Sequence, residues 1–251
     1  MEHIQSTKNS RVKEWKKLLA KKDRDITGRY IIEGEHLIEE ALETNDVIEL
    51  ILQENIKLPD SWLTSDIPPV TTISADISKI ISDTKTPQGV FAVCRKKEHT
   101  IDLTKHKRFL LFDGVQDPGN IGTMIRTADA AGIDVVILGE GSGDVYNPKV
   151  IRSAQGSHFH LPIILGNLHT WIETLKKSGI PVYGTALEGA VSYKEVSPSD
   201  SFALIVGNEG AGVASDILNK TDRNLYIPIY GKSESLNVAV AAGILLYYLR
   251  K

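Results

Sequence analysis

The chain has 251 residues, of which 41% are hydrophobic and 24% charged, and its formal net charge is −3. These values fit a soluble globular protein with one large or two small domains, and they carry no global signature of nucleic-acid binding. A single cysteine, Cys94, excludes an internal disulfide framework and any multi-cysteine zinc site.

The opening "MEHIQSTKNSRVKEWKK" lacks the apolar core of a signal peptide, and no window is apolar for long enough to span a membrane, so the cytoplasm is the expected compartment. Val12, Trp15, Leu18 and Leu19 recur at helical spacing, which predicts an amphipathic helix with a basic outer face. Lys8, Arg11, Lys13, Lys16, Lys17, Lys21, Lys22 and Arg24 crowd this segment. "RYIIE" reads as a strand, "GEHLIEEALET" as a helix, and "VIELILQ" as a strand. A strand "VTTI", a helix "SADISKIIS" and a strand "VFAVC" follow, alternating as in a small α/β layer. Residues 95–108, "RKKEHTIDLTKHKR", are polar, basic and weakly periodic, and read as a linker. Clusters of this kind can neutralise phosphates even on an acidic protein, but each is as readily a solvated face.

The second half alternates more cleanly. "RFLLFD", "DVVIL", "FHLPII", "PVYGTAL", "SFALIVG" and "NLYIPI" read as strands. "NIGTMIRTADAAG", "PKVIRSAQG" and "LHTWIETLKKSG" read as helices, the first ending on Gly132, the second with Pro148 near its start, the third closed by Gly179. An apolar helix in "SLNVAVAAGILLYYLRK" ends the sequence, with basic residues in its last turn. A parallel sheet covered by helices holds its ligand beyond the C-terminal strand ends, and there the polar, glycine-rich stretches fall.

Gly231-Lys232-Ser233 has the letters that close a phosphate-binding loop. Such a loop needs a glycine five residues before, where this chain has Tyr226, so a P-loop nucleotidase is excluded. "GNEGAG", residues 207–212, is not the dinucleotide fingerprint either. His158 and His160 have no carboxylate or cysteine spacing around them that makes a metal site, and none is expected.

Three stretches carry the remaining signal. In "DGVQDPGNIGTMIRTADAAG", Pro118-Gly119 forms a turn and Asn120 sits where an N-cap belongs. A helix from Ile121 then has Ile121, Met124, Ile125 and Ala128 as its apolar stripe and Arg126 on the opposite side, near Gly122. In "LIVGNEGAGV", three glycines after a strand let backbone approach a ligand, with Asn208 and Glu209 at the same edge. In "SESLNVAVAAG", Ser235 is a candidate cap with Asn237 just inside a helix of small side chains. Taken singly, these are a capped helix with an exposed arginine, a glycine turn, and a tightly packed last helix.

In this order, with "VIRSAQGSHFHLPI" between the first two, the stretches resemble the SpoU (TrmH) class of S-adenosylmethionine-dependent RNA ribose methyltransferases, in the SPOUT superfamily. "IIEGEHLIEEAL" and "SDTKTPQGVFAV" are similar to the L30e-like α/β substrate-binding domain that precedes the catalytic domain in many members. The resemblance implies an L30e-like RNA-binding domain over 1–95, a linker over 96–106, and a knotted trefoil α/β methyltransferase domain with a parallel sheet over 107–251. It implies that the backbones of Gly207, Ile227 and Leu236, with Thr185, Ala186 and Leu187, hold the adenosyl group. It implies a catalytic set of Asn120, Arg126, Glu209, Ser235 and Asn237. Arg126 is then either the base that receives the 2′-hydroxyl proton or a clamp on a substrate phosphate. Asn120, Ser235 and Asn237 orient the ribose and Arg126, while Glu209 fixes the arginine or contacts the substrate. Arg11, Lys13, Lys17 and Arg152 are expected to contact RNA, with Ser153 beside the last, and a homodimer is expected to complete the site. Ribosomal RNA is the expected substrate ahead of transfer RNA. The other reading is a non-catalytic RNA-binding or ribosome-assembly protein that retains the fold, against which the intact polar set argues.

Overall fold

A computed structural model describes residues 2–62 and 66–251; Met1 and residues 63–65, inside the expected first domain, lie outside the described residues. The chain divides into two compact units. The first comprises residues 1–97 with 146–159, and the second 98–145 with 160–251.

The first unit is built on a five-stranded mixed sheet of β1 (Glu2–Ile4), β2 (Arg29–Glu33), β3 (Val47–Gln53), β4 (Val70–Ile73) and β5 (Val90–Arg95). Their order is β1-β4-β3-β5-β2, with β5 antiparallel to both of its neighbours. Helices α1 (Ser10–Lys17), α2 (Lys21–Thr27), α3 (Glu35–Glu43) and α4 (Ala75–Ile81) accompany it. The sheet's two faces sort by strand alternation. Ile31, Ile51, Phe91 and Val93 meet Val12, Trp15 and Leu18 on one side, while Ile32, Leu50, Leu52 and Ala92 meet Leu37, Ile38 and Ala41 on the other. β1 and α2 were not expected from the sequence: three residues are too few to show a period, and α2 buries only Arg24. The Arg24 guanidinium donates to the Leu18 carbonyl oxygen at 2.8 Å.

Residues 146–159 interrupt the block expected over 107–251. They hold α6 (Pro148–Ala154), and Ile151, Tyr146 and Phe159 join the first unit's core. The strand expected over "FHLPII" is correspondingly shorter. Residues Ser157–Phe159 form a 3₁₀ turn and the strand begins only at Ile163, after Pro162, which has no N–H for a ladder.

The second unit contains a seven-stranded, wholly parallel sheet. Its strands are β6 (Arg108–Asp113), β7 (Val135–Leu138), β8 (Ile163–Leu165), β9 (Val182–Thr185), β10 (Val191–Ser192), β11 (Phe202–Gly207) and β12 (Arg223–Tyr226). The order is β10-β12-β9-β11-β6-β7-β8. Central strands are buried along their length, as parallel sheets require. Phe109 and Leu111 of β6 face a cluster completed by α7 (Leu168–Lys177) and α8 (Ser215–Leu218), so Leu110 and Phe112 face the other way. Helices α5 (Pro118–Ala130) and α9 (Val238–Leu249) pack on each other, and α9 on β11. Register sets the position of everything that follows: Gly207 pairs with Asp113 and Leu225 with Thr185. The loops after β6, β9, β11 and β12 therefore leave one edge of the sheet together.

Candidate active site

The first of those loops runs into α5, and its helix starts earlier than the sequence suggests. Asp117, not Asn120, is the N-cap: its Oδ1 accepts the Asn120 N–H at 2.9 Å and Pro118 takes the first helical position. The shift matters chemically. Asn120 becomes the third helical residue, and its side-chain amide is free of capping duty. Its Nδ2 donates to Glu209 Oε1 at 3.0 Å, and its Oδ1 accepts from Asn237 Nδ2 at 3.0 Å. The Ile121, Met124, Ile125 and Ala128 stripe is buried as expected, and Arg126 is exposed.

The second loop is shaped by Asn208 and by the absence of a side chain at Gly207. Asn208 exchanges two backbone hydrogen bonds with Gly212, its Oδ1 accepts from Gly210 N and Ala211 N at 2.9 and 3.0 Å, and its Nδ2 donates to the Gly114 carbonyl at 2.9 Å. A Cβ on Gly207 would collide with the Gly212 carbonyl and the Val213 nitrogen, so only glycine permits this fold-back. Asp113 closes the turn by accepting the Ala214 N–H at 2.7 Å.

The turn delivers Glu209 to the mouth of α5. Besides the Asn120 amide, its carboxylate accepts the Asp117 N–H at 3.0 Å and the Gln116 N–H at 3.2 Å. Desolvation pushes this carboxyl up, but hydrogen bonds from the Asn120 side chain, from its own backbone N–H and from those of Asp117 and Gln116 outweigh it, and the net shift is downward. Glu209 stays an anion and an acceptor. It does not touch Arg126, which makes no ion pair among the described residues.

The third stretch also begins its helix at a different residue from the one expected. Asn237 is the N-cap of α9, its Oδ1 accepting from Ala239 N at 2.9 Å and Val240 N at 3.3 Å. Ser235 lies before the helix, exposed, with its carbonyl accepting the Ser233 hydroxyl at 2.8 Å. The structure thus joins Glu209, Asn120 and Asn237 in one directed chain of hydrogen bonds that ends on the first amides of α9. Arg126 and Ser235 are not bonded into it.

Of the residues expected around an adenosyl group, Thr185 donates its hydroxyl to the Ile205 carbonyl at 3.1 Å, and Ala186 N donates to the Leu225 carbonyl at 3.1 Å. These bonds place residues 185–187 beside the exit of β12, where Ile227 is half-buried. Leu187 is 67% exposed and Leu236 37% exposed. Leu187 follows the C-terminal end of β9 and Ile227 that of β12.

The four residues expected on RNA separate into two pairs. Lys13 and Lys17 are exposed on α1. The Arg11 guanidinium is instead bonded to Glu2 and Glu49 and lies over the Trp15 ring, and Arg152 is paired with Asp83. Ser153 is half-buried. The second basic run is answered internally as well: Lys96 by Asp25, Lys97 by Asp46, Lys105 by Asp102 and Arg108 by Asp134. His160 Nδ1 is 2.7 Å from the Asp129 carboxylate, and His158 sits edge-on to Tyr146 and Phe159. Sequence reasoning missed Asp113 and Asp117; the Asp-Pro pair ahead of an apolar period was the signal for the second.

A wholly parallel sheet whose glycine-turn and helix-mouth loops gather at the C-terminal edge and carry an amide–carboxylate chain is the arrangement in which open α/β proteins hold their ligands. Residues 107–247 match the SpoU rRNA Methylase family, and residues 9–92 match an MRM3-like substrate binding domain. The chain belongs to the SpoU family, and it is an S-adenosylmethionine-dependent RNA ribose 2′-O-methyltransferase of the SPOUT superfamily. It is 52% identical, over the whole of both chains, to the 23S rRNA (guanosine(2553)-2′-O)-methyltransferase RlmP of Bacillus subtilis strain 168. The AdoMet-bound rRNA methyltransferase of Sinorhizobium meliloti superposes with a TM-score of 0.88 at 29% identity, covering 99% of this chain and 97% of that one. The SpoU methyltransferase AviRb of Streptomyces viridochromogenes, in complex with AdoMet, superposes at 0.87 with 28% identity, covering 96% and 97%.

Proposed function

We propose that this enzyme methylates a guanosine ribose of large-subunit ribosomal RNA, in the cytoplasm and as a homodimer. The observation that carries the reading is the Glu209–Asn120–Asn237 chain at the C-terminal edge of the parallel sheet, in a protein that aligns end to end with a 23S rRNA enzyme. S-adenosylmethionine supplies a methyl group already activated by a sulfonium leaving group, so the protein's task is alignment and removal of one proton. The backbones of Gly207, Ile227 and Leu236 and residues 185–187 hold the adenosyl part. Asn120, Ser235 and Asn237 orient the ribose, with Glu209 fixing the direction of the Asn120 amide rather than pairing with Arg126. With the cofactor bound, the 2′-oxygen would bond to the methyl carbon as the carbon–sulfur bond breaks, the electron pair staying on sulfur and the hydroxyl proton passing to water at the solvent-open mouth of the site. Arg126 is open to solvent and reaches an incoming backbone phosphate, where it stabilises the alkoxide-like transition state. Free arginine is a poor base, which favours the clamp over direct proton abstraction.

Lys13 and Lys17 supply phosphate contacts that position RNA without reading its sequence. The dimer is supported by α9, where Val240, Ile244 and Tyr247 recur at i, i+4 and i+7 and lie exposed on one face. The end of α9 is tied to earlier segments, Ser199 N donating to the Leu249 carbonyl at 2.7 Å and the Arg250 guanidinium to the Ala131 carbonyl. No helix among the described residues is long and apolar enough to cross a membrane.

The test is transfer of labelled methyl from S-adenosylmethionine to unmodified ribosomal and transfer RNA, followed by alkaline digestion. Label in an alkali-resistant dinucleotide from ribosomal RNA is expected, because a methylated 2′-oxygen cannot attack its phosphate. Label confined to transfer RNA would overturn the substrate, and cofactor binding without any transfer would favour a non-catalytic RNA-binding role.

A further inference from the structure

Tyr230 is 89% exposed, the most uncovered of the large apolar side chains described. A lone exposed aromatic is common on a protein surface, so exposure alone says little. Its position says more. Four other tyrosines have ring partners: Tyr30 with Tyr146 at 4.8 Å between centroids, and Tyr193 with Tyr248 at 4.7 Å. Tyr247 belongs to the aliphatic stripe of α9. Tyr230 has neither kind of company. It is followed by Gly231, Lys232, Ser233, Glu234 and Ser235, all exposed, and among the described residues it makes no hydrogen bond or ring contact.

This loop joins the two halves of the site. It leaves half-buried Ile227 at the end of β12 and arrives, past Ser235, at Asn237 in the ribose-orienting chain. Ser235 is five positions beyond Tyr230, about 18 Å at full extension, and the Ser233–Ser235 turn shortens that reach. A nucleotide whose ribose lies at Asn120 and Asn237 therefore has its own base, or that of a neighbour, within range of the ring.

We propose that Tyr230 is the stacking platform for an unpaired base at or beside the methylated nucleotide; this rests on the function proposed above. Single-stranded and looped RNA is held by bases laid on aromatic rings, and such a platform is indifferent to which base it receives. A flat amphipathic ring in a polar loop suits that partner better than a protein face, which would need apolar neighbours. Lys232, two residues on, faces the same solvent and can meet the adjoining phosphate, with Glu234 the one opposing charge nearby in the loop. Tyr230 is thus a positioning residue for the nucleic acid, with no part in the bond changes.

The test compares wild type, Tyr230→Ala and Tyr230→Phe on an unmodified 23S rRNA transcript, measuring methyl transfer, direct RNA binding, cofactor affinity and sedimentation. Tyr230→Ala is expected to raise the KM and Kd for RNA roughly 5- to 150-fold, the range for loss of one base–aromatic stack, with cofactor affinity unchanged. Tyr230→Phe should retain RNA affinity, because the ring and not the hydroxyl does the stacking. Unchanged RNA affinity in Tyr230→Ala would overturn the proposal. So would loss of self-association, which would make the ring a contact between subunits, or loss of cofactor affinity, which would place it in the adenosyl pocket. A wild type that binds the transcript but transfers no methyl would sink the proposed function instead, and the binding arm would still decide whether Tyr230 stacks.

Discussion

The two sides of the candidate site are built in opposite ways. At the mouth of α5, Asp117, Asn120, Asn208, Glu209 and Asn237 bond to one another and to backbone amides, and the Glu209 carboxyl is held below its ordinary range. Across residues 229–236 the side chains are mostly exposed, and Ser233 to the Ser235 carbonyl is the side-chain hydrogen bond the loop contains. Both carry polar residues of the same kinds. One stretch has satisfied its groups internally before any ligand arrives; the other presents its groups outward. Preorganised donors need no rearrangement at the moment of reaction, whereas a contact surface must stay free until the substrate fills it.

The largest effect is expected at Arg126, which lies exposed on α5 and outside the bonded chain. Arg126→Ala should lower methyl transfer by roughly 10²- to 10³-fold, the scale of one lost transition-state-stabilising group, while cofactor affinity in a direct binding assay stays within about twofold. Normal turnover would remove Arg126 from the chemistry.

The built side is tested at Gly207. Gly207→Ala forces a methyl into the Gly212 carbonyl, so the turn must open and carry Glu209 away from α5. Overpacking of this kind costs about 1–3 kcal/mol, which should appear as a lower Tm together with a weaker cofactor complex. A variant that melts and binds like wild type would show that the turn is softer than its geometry implies.

Glu209→Gln is a smaller change. One acceptor oxygen is lost where the Asn120 amide and backbone N–H groups converge, and because the group is exposed the cost should be about 1 kcal/mol, the value of a single hydrogen bond. The same residue gives a pH signature. A carboxyl whose folded pKa lies below its ordinary 4.5 stabilises the folded site above that value and loses this only as pH falls through the lower folded pKa. The Glu209 side-chain carbon resonance should therefore titrate with a midpoint below 4.5. A midpoint at or above it would mean that the amide chain does not hold in solution.

The smallest effect belongs to the remote lysines. Replacing Lys13 and Lys17 with alanine should weaken RNA binding about equally for all sequences and flatten its salt dependence by roughly one unit of log–log slope per lost phosphate contact. Arg11→Ala should act through stability instead, since its charge is already bound to Glu2 and Glu49.

Much of this was legible beforehand, for identifiable reasons. β6, β9 and β11 are apolar runs bounded by turn residues, and the stripe of α5 follows the helical period, so strand order apart the second unit could be read from its pattern. The resemblance then assembled residues more than a hundred positions apart, such as Asn120 and Asn237, which no local period could connect. The misreadings share a cause. Asn120 and Ser235 are good capping residues, but Asp117 and Asn237 each cap better where they stand, and the choice depends on which amide has another partner across the sheet edge. The basic run at 95–108 looked available because Asp25, Asp46 and Asp134, the carboxylates that pair with its members, lie distant in sequence. Nothing in "YNPKVIRSAQGSHF" marks it as part of the first unit, since its apolar residues suit either core.

The most direct measurement of the contrast is backbone hydrogen exchange on the free enzyme, then with S-adenosylmethionine, then with unmodified ribosomal RNA added. Amides of Gln116, Asp117, Asn120, Ala239 and Val240 should be protected before any ligand is present, and those of Tyr230 to Ser235 should gain protection only when RNA binds. Fast exchange at the α5 mouth in the free enzyme, or a loop already protected without RNA, would contradict a site that is built on one side and completed by its substrate on the other.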